Sequence, residues 1–494
     1  MGGLTAVQEQ HLRAFIDHYT RRTAGSKEST AGNRAHLSDP RSVAGFRQIW
    51  KEMVYPIVVN RSSGSRLWDV DGNEYIDLTN GFGMILFGHN PDFIRKAVKA
   101  QLDQGLEIGP QTPLAGEVAR LVCDMTGMER AAFCSTGSEA VTAAIRVART
   151  VSGRDKIAMF AGAYHGIFDE VLVRPTVIGG VLRSTPIAPG IAPSMVENVV
   201  VLDYGSPESL KTIKAIGPEL AAVLVEPVQS RRPDLQPREF LQELRTITSE
   251  TGTALVFDEV VTGFRTHPGG AQALFGVRAD IATYGKVIGG GLPIGVVAGR
   301  STYLDALDGG DWRYGDDSYP AVGVTFFAGT FVRHPLALAS ARAVLQRLKK
   351  DGPELQRALN LSTTGFVEVL NTHARKVGVP INVTHFSSWF CFNFPHDLPL
   401  ASLFFPFMRA KGIHIWEGRP GFLTLAHSKA DVDRVVAAFK ETLAEMQAAE
   451  FLPGGAERPP VAGARKGRDS SGNDAWFVPD PERPGKYLQV RESA

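Results

Sequence analysis

The stretch Ala254–Arg265 (ALVFDEVVTGFR) begins with a short apolar run and continues into two acids and a glycine-containing turn. The stretch Ile281–Gly291 (IATYGKVIGGG) repeats this arrangement around a lysine. Apolar runs of this length between turn residues are typical of strands buried in a parallel sheet. Asp258 and Lys286 therefore follow the carboxyl ends of two predicted strands, where open parallel sheets bind their ligands. Either residue alone is also compatible with a surface salt bridge.

The same alternation of apolar runs and amphipathic stretches extends outward from these strands, over residues 115–300. The amphipathic stretches Glu139–Arg149 and Arg238–Thr251 predict helices between the strands. Strands that alternate with helices indicate an α/β fold with a mainly parallel sheet covered on both faces. The predicted strands are Ala131–Cys134, Ile157–Phe160, Val199–Leu202, Ala221–Val225, Ala254–Phe257, Ile281–Tyr284 and Val296–Ala298.

The flanking sequence divides the chain into further segments. Residues 4–22 predict an amphipathic helix, followed by a polar linker over residues 24–41. Two alternating runs about Asp71-Gly72 predict a hairpin. The predicted helix face is Leu4, Val7, His11, Ala14, Phe15 and His18. The predicted segments are an N-terminal helix and arm (1–48), a segment with the hairpin (49–114), a large domain (115–335), a small α+β domain that begins with a long helix (336–450), and a Pro/Gly-rich, extended or disordered tail (451–494).

Composition excludes several classes of function. The chain of 494 residues has 53 Lys+Arg and 52 Asp+Glu, a formal net charge of +1. A chain with this charge balance has no excess of basic residues of the kind that binds nucleic acid or a membrane surface. No apolar run approaches the ~18 residues of a membrane span. The three cysteines suit neither a disulfide framework nor a metal site, so we expect a cytoplasmic enzyme without a metal.

A third predicted strand is followed by the small, hydroxyl-rich turn Ser135–Glu139 (STGSE). Backbone amides at the start of a helix bind phosphate, although the same pattern is an ordinary capping box. An acid, a lysine and a phosphate site on neighbouring strand ends suit pyridoxal phosphate (PLP), which needs each of these groups. Tyr164 follows a fourth strand and could stack on the cofactor ring.

These motifs, in this order, resemble the class III aminotransferases of the fold-type I PLP-dependent superfamily, especially the branch with glutamate-1-semialdehyde aminomutase. The resemblance covers about residues 45–445 and implies a large domain with a mostly parallel sheet and a smaller α+β domain. The matching motifs are Asn80–Gly83, Gly88-His89, Ser135–Ala140, Tyr164–Gly166, Glu226–Val228, Asp258–Val260, Thr262–Arg265, Gly285-Lys286, Gly329-Thr330 and His334-Pro335.

The resemblance implies a role for each matched residue. Lys286 would form the Schiff base and move the substrate proton. Asp258 would pair with the pyridine nitrogen, with Glu226 nearby. Tyr164 and Val260 would cover the two ring faces. The phosphate would be held by Thr136, Gly137 and Ser138, and by Thr330 of a neighbouring subunit in a homodimer. His165 is either a cofactor-binding residue or a structural histidine.

Two positions depart from the family pattern. Many relatives have Gln where this chain has Val261. The aminomutase branch has a glutamate just before a Gly-Phe pair, and here Arg419 lies nearest that position. We expect Glu417 and Arg419 to bind substrate, with Arg419 either a clamp for the donor's carboxylate or a surface arginine.

A closer resemblance is to aminotransferase domains of polyketide and peptide assembly lines. The stretches that carry it include Asp39–Phe46, Trp50–Ile57 and Glu226–Pro233. It implies amino transfer from an amino acid to a β-ketoacyl thioester on an acyl carrier protein, or to a derived aldehyde. An aromatic cluster around Trp389–Phe394 and Phe404–Met408 could line a channel for the acyl chain or form core. The alternatives are an aminomutase, a general ω-amino acid or amine transaminase, and, least favoured, a non-enzymatic protein that keeps the fold.

Overall fold

The computed structural model describes residues 3–43, 45–454, 464–469, 474–480, 483 and 486–490. None of the helices in these ranges is both long enough and apolar enough to cross a membrane. The helices are α1 Ala6–Arg22, α2 Ala24–Asn33, α3 Asn80–Gly83, α4 Asp92–Gln104, α5 Pro113–Thr126, α6 Gly137–Ser152, α7 Pro207–Ile216, α8 Arg238–Thr251, α9 Gly263–Thr266, α10 Gly270–Phe275, α11 Ser301–Leu304, α12 Pro335–Asp351, α13 Glu354–Lys376, α14 Phe404–Ala410 and α15 Lys429–Ala448.

The strands include all seven that the sequence predicted, most of them longer by one or two residues. They are β1 Val59–Ser63, β2 Arg66–Asp69, β3 Glu74–Asp77, β4 Arg130–Cys134, β5 Lys156–Phe160, β6 Val173–Ile178, β7 Val181–Pro186, β8 Val199–Leu202, β9 Leu220–Val225, β10 Ala254–Asp258, β11 Ile281–Tyr284, β12 Gly295–Gly299, β13 Asn382–Phe386, β14 Trp389–Asn393, β15 Ile413–His414, β16 Gly421–Phe422, β17 Arg465–Arg468, β18 Asp474–Pro479 and β19 Tyr487–Gln489.

The predicted strands form one sheet in the order β4-β12-β11-β10-β9-β5-β8. Only β12 runs antiparallel to its neighbours, so the prediction of a mainly parallel sheet is confirmed. Strands β9, β10 and β11 are buried along their whole length. Asp258 pairs in register with Thr283, so the carboxyl ends of β10 and β11 bring Asp258 and Lys286 to the same edge of the sheet.

The predicted hairpin is present as β2 and β3, which turn at Gly72 with φ +83°. Strand β15, from the C-terminal part of the chain, pairs in parallel with β3. The N-terminal segment therefore shares a four-stranded sheet with the C-terminal segment. Next in sequence to β3 lies the turn α3, which reaches the site described below.

Helix α1 is present, but of the predicted face only Leu4 and Phe15 pack against the core. Leu12 and Tyr19 are the buried residues, and Phe15 stacks on Phe407 with ring centroids 3.7 Å apart. These residues lie at i, i+3 and i+7 and form one stripe. Of the predicted face, Val7 is exposed, as are both histidines.

The predicted polar linker contains helix α2. The carboxylate of Asp71, in the hairpin turn, accepts hydrogen bonds from the backbone N–H groups of Gly25 (2.6 Å) and Ser26 (3.2 Å). The hydroxyl of Ser26 in turn accepts from the backbone of Val58. The amides at the start of α2 are thus satisfied by residues far away in sequence, which leaves no local capping signal.

The tail is also more ordered than the sequence predicted. Strands β17, β18 and β19 form a three-stranded antiparallel sheet. The run Ala475–Val478 (AWFV) has the aromatic and β-branched residues that favour strands. The rest of the predicted extended tail lies largely outside the described residues.

Candidate active site

A cavity of about 410 Å³ opens at the carboxyl edge of the large sheet. It brings together most of the residues that the sequence proposed, from six separate segments of the chain. Thr136, Glu417 and Thr330 are not among its lining residues. The predicted residues that line it are Gly137, Ser138, Tyr164, His165, Glu226, Asp258, Val260, Lys286 and Arg419.

Asp258 ends strand β10, and its carboxylate is held by three donors. His165 donates from Nδ1 to Oδ2 over 2.8 Å. Oδ1 accepts from the backbone of Val260 at 3.1 Å and from the hydroxyl of Thr283 at 3.4 Å. Asp258 and His165 are both buried, so the bonds fix the orientation of the carboxylate in a low-dielectric setting.

Lys286 lies two residues beyond β11 with φ +48°, in the left-handed region that L-residues seldom adopt. Backbone strain of this kind is concentrated at functional sites. Burial lowers the pKa of the Lys286 amine, while the charges of Asp258 and Glu226 act in the opposite direction. Within the described part of the chain, Lys286 makes no hydrogen bond or ion pair. An amine with a lowered pKa and no partner is suited to act as a nucleophile.

The turn before α6 forms the predicted capping box, and the residues after Thr136 line the cavity. The hydroxyl of Thr136 accepts from the N–H of Glu139, and the Glu139 carboxylate accepts from Ser135 and Thr136, which completes a capping box. Gly137 and Ser138 follow, line the cavity and present first-turn amides. A Cβ on Gly137 would come within 3.1 Å of both methyl groups of Val260, so a larger residue here would require Val260 to shift.

Glu226 holds the loop that carries Tyr164. Its carboxylate accepts from the backbone N–H of Tyr164 at 2.8 Å and of Ser230 at 3.3 Å. Burial raises the pKa of Glu226, and the nearby charge of His165 counteracts this. Tyr164 is 43% exposed, so its ring remains available at the cavity.

Two lining residues that the sequence did not propose as site residues, Gly81 and Phe82, lie on the turn α3. Both adopt left-handed conformations, with φ of +59° and +56°. The buried carboxylate of Asp77 accepts from the backbone of Thr79 (2.9 Å) and Asn80 (3.1 Å), which fixes the start of the turn. Two glycines among four residues are a sequence signal for such a turn.

The other end of this turn is held by Arg265, a fully buried arginine. Its guanidinium donates to the carbonyl of Gly83 (3.1 Å) and to the hydroxyl of Ser388 (2.8 Å). Burial lowers the pKa of Arg265 to about 9. Asp77 and Arg265 therefore clamp the strained turn that brings Phe82 to the cavity.

Glu417 and Arg419 point to different places. Arg419 lines the cavity, whereas Glu417 lies beside a separate, smaller cavity. A Cβ on Gly45 would be 2.5 Å from Oε2 of Glu417, so this carboxylate lies against the N-terminal arm. Burial raises the pKa of Glu417, and the charge of Arg409 opposes this.

Of the two interpretations of the aromatic cluster along β14 and α14, core or acyl channel, the structure shows the core. Trp389, Phe390 and Phe404 are completely buried, and Phe392 packs on Phe404 with ring centroids 4.9 Å apart. These side chains form core. A different cavity, of about 500 Å³, shares the lining residue Phe82 with the site.

Comparison with known proteins agrees with this architecture. The family model for class-III aminotransferases matches residues 48–443, and the chain belongs to this family. The resemblance deduced from the motifs is thereby confirmed. Members of the family are PLP-dependent enzymes, so the chain is a PLP-dependent enzyme of the aminotransferase and aminomutase group.

The curated relatives include glutamate-1-semialdehyde 2,1-aminomutase of Geotalea daltonii, 33% identical over 81% of this chain and 93% of the relative. The enzyme of the same name from Persephonella marina is 35% identical over 80% and 92%. Among solved structures, a β-phenylalanine aminotransferase from Variovorax paradoxus has a TM-score of 0.77 and 28% identity, covering 91% of this chain and all of the other. An ω-transaminase from Sphaerobacter thermophilus has a TM-score of 0.76 and 27% identity over 86% and 98%. These neighbours confirm the fold-type I architecture.

The chemistry of the cavity fits PLP. When bound, PLP withdraws electrons from the bond that breaks at the substrate carbon. The cavity supplies an amine in Lys286, a fixed carboxylate in Asp258 and a helix start at Gly137 where an anion binds well. The side chains of Tyr164 and Val260 supply an aromatic and an aliphatic surface for a planar group.

Proposed function

We propose that the chain is an intermolecular transaminase that moves an amino group from an amino acid to a carbonyl compound. The observation that carries this proposal is the placement of Arg419 in the cavity and of Glu417 outside it. A guanidinium binds a carboxylate through two parallel hydrogen bonds. Arg419 can therefore hold the carboxylate of an amino acid donor, and it lies nearest the position where the aminomutase branch carries an acid.

The roles proposed for the other residues come from the family resemblance, and their contacts support them. Lys286 holds the cofactor and moves the proton at the substrate carbon, because its amine is buried and unpaired. Asp258 would keep the pyridine nitrogen of bound PLP protonated, and His165 positions Asp258. Gly137 and Ser138 bind the phosphate. Tyr164, whose backbone is fixed by Glu226, covers one ring face, and Val260 covers the other.

For the acceptor, we propose an apolar acyl compound with a β-carbonyl group, free or on a carrier protein. The support is the 500 Å³ cavity that shares Phe82 with the site, where the apolar run Pro56–Val59 and Trp416 lie beside polar and charged side chains. An apolar chain placed there gains about 0.8 kcal/mol per buried methylene. The structural neighbour from Variovorax paradoxus acts on β-phenylalanine, which also carries its amine at the β position.

Aminomutase activity is the second candidate. Curated relatives that are 33% and 35% identical over most of the chain carry the name glutamate-1-semialdehyde 2,1-aminomutase. Such an enzyme needs the same amine, acid and phosphate site. It does not need a separate amino donor, and this difference allows the two activities to be distinguished.

We also propose a homodimer in which Thr330 completes the phosphate site of the other subunit. Thr330 is exposed and lies in the segment of residues 312–331, where several large apolar side chains are exposed. Contiguous exposed apolar residues of this kind are typical of a protein–protein interface. We expect the protein to sediment as a dimer and Thr330→Ala to bind the cofactor more weakly. A fully active monomer would contradict the proposal. The exposed apolar residues of the segment are Trp312, Tyr314, Tyr319, Val322, Val324, Phe326 and Phe331.

The function is tested by measuring the activity of the wild type and of Arg419→Ala with a set of amino donors and carbonyl acceptors. With glutamate as donor, β-ketoacyl thioesters of increasing length, free and carrier-bound, are compared with pyruvate. Arg419→Ala should raise the KM of the donor at least about tenfold and leave the KM of an uncharged acceptor within about twofold. Arg232→Ala is the matched control, since Arg232 is exposed and does not line the cavity. If Arg419→Ala raises the KM of the acceptor more than that of the donor, Arg419 does not belong to the donor site. If pyruvate is turned over as fast as the β-ketoacyl thioesters, the proposal of an acyl acceptor is wrong.

A further inference from the structure

A second arginine, Arg231, lines the cavity beside Arg419. Its guanidinium carbon lies 5.9 Å from the ring centroid of Tyr164, within the range of a cation–π contact. Both guanidinium groups line this one cavity, and burial, followed by the charge of Arg231, lowers the pKa of Arg419. The cavity therefore presents two like charges near the ring that is proposed to cover the cofactor.

Neither of these charges has an acidic partner in the part of the chain that the structure describes. Within the described ranges, neither Arg231 nor Arg419 forms an ion pair or a side-chain hydrogen bond. The acids of this cavity already have other partners, since Glu226 is bonded to backbone amides and Asp258 to His165. Two neighbouring cations that face one cavity are best satisfied by a ligand with two negative groups.

We propose that Arg231 and Arg419 together bind the two carboxylates of a dicarboxylic amino donor, such as glutamate. This inference rests on the proposed transaminase function and names the class of its donor. Arg419 holds one carboxylate and Arg231 the other. A donor with a neutral amide in place of the distal carboxylate leaves Arg231 unpaired and is disfavoured. An uncharged acceptor makes no use of the pair, so Arg231 acts in the donor half-reaction alone.

The experiment compares glutamate with glutamine in the donor half-reaction of the holoenzyme. The two donors have nearly the same shape and differ in the charge at the distal end. In the wild type, kcat/KM for glutamate should exceed that for glutamine at least about tenfold. Arg231→Gln should bring this ratio close to one by lowering the value for glutamate only. Arg232→Gln, next in sequence and outside the cavity, should leave both values unchanged.

A binding measurement separates this inference from the transaminase proposal. Calorimetric titration of the holoenzyme with glutarate and with its monoamide needs no turnover. Tighter binding of glutarate to the wild type, with the difference lost in Arg231→Gln, supports the paired site. Equal binding of the two probes to the wild type, or equal weakening of both in the variant, overturns it. If no amino acid donates nitrogen, the transaminase proposal fails, and the glutarate titration still decides the role of Arg231.

Discussion

The imidazole of His165 and the carboxylate of Asp258 form a buried hydrogen bond, with 2.8 Å between Nδ1 and Oδ2. Nδ1 therefore carries the proton, which leaves Nε2 as a buried atom without a hydrogen-bond partner among the described residues. Because the bond lies away from water, it holds both the charge and the direction of the carboxylate. It connects a histidine that could have been purely structural to the acid that the cofactor requires.

Replacement of Asp258 by Asn should retain the fold and cofactor but lower kcat by several orders of magnitude. The side chain keeps its shape, while the charge that stabilises a protonated pyridine nitrogen is lost. Single-turnover rates with a fixed donor measure the effect. A decrease of less than about tenfold, which corresponds to roughly 1.4 kcal/mol, contradicts the assigned role.

His165→Leu and His165→Asn should differ, because an asparagine amide can replace the Nδ1 donor and leucine cannot. Loss of a hydrogen bond to a charged group costs about 1.5–3 kcal/mol, so kcat should fall about tenfold or more in the leucine variant. The asparagine variant should recover most of this loss. Equal defects in the two variants would indicate that His165 contributes only by packing.

Lys286→Ala should be folded, colourless at visible wavelengths and inactive. The lysine-bound cofactor is conjugated and absorbs in the near-visible, and the alanine variant has no amine in the cavity for this attachment. Absorbance and mass after borohydride reduction measure the attachment. A reducible adduct on another lysine of the variant would show that the assignment is wrong.

Asp77 should make stability depend on pH in the acid range. Burial acts to raise the pKa of its carboxyl, but the hydrogen bonds from His414 and His89 outweigh burial and hold the pKa well below its ordinary value. A lowered carboxyl pKa in the folded state means that the unfolded chain binds more protons, so the contribution is complete above about pH 5 and declines as the pH falls below about 4.

The matched variant is Asp77→Asn, which should lower the free energy of unfolding by about 1–3 kcal/mol at neutral pH. Urea unfolding at several pH values should show this difference shrinking as the pH falls. A difference that stays constant from about pH 6 to about pH 3 would rule out an ionised carboxylate as the source. Because Asp77 fixes the turn that carries Phe82, the variant should also raise the KM of long acyl acceptors.

The central sheet could be predicted from the sequence because its signals are local. Each of its strands is a short apolar run, and residues that follow such runs meet at one edge of the sheet. Asp258 and Lys286 were identified in this way. Helix α2 could not be predicted, since the carboxylate that satisfies its first amides belongs to Asp71 in a different segment.

The turn α3 was recognised as a motif but not as part of the cavity. Its left-handed backbone depends on Asp77 before it and on Arg265, which lies far away in sequence. The opposite directions of Glu417 and Arg419 likewise depend on the fold around them. Spacing of two residues in an irregular loop does not determine which side chain faces a cavity.

Transfer of nitrogen between two different molecules is the decisive measurement. The purified holoenzyme is incubated with ¹⁵N-glutamate and an unlabelled β-ketoacyl thioester, and both products are quantified by mass spectrometry. A transaminase yields the keto acid of the donor and the labelled β-amino product in equal amounts. Isomerisation of glutamate-1-semialdehyde, with no keto acid formed from any amino acid donor, would show that the chain is an aminomutase.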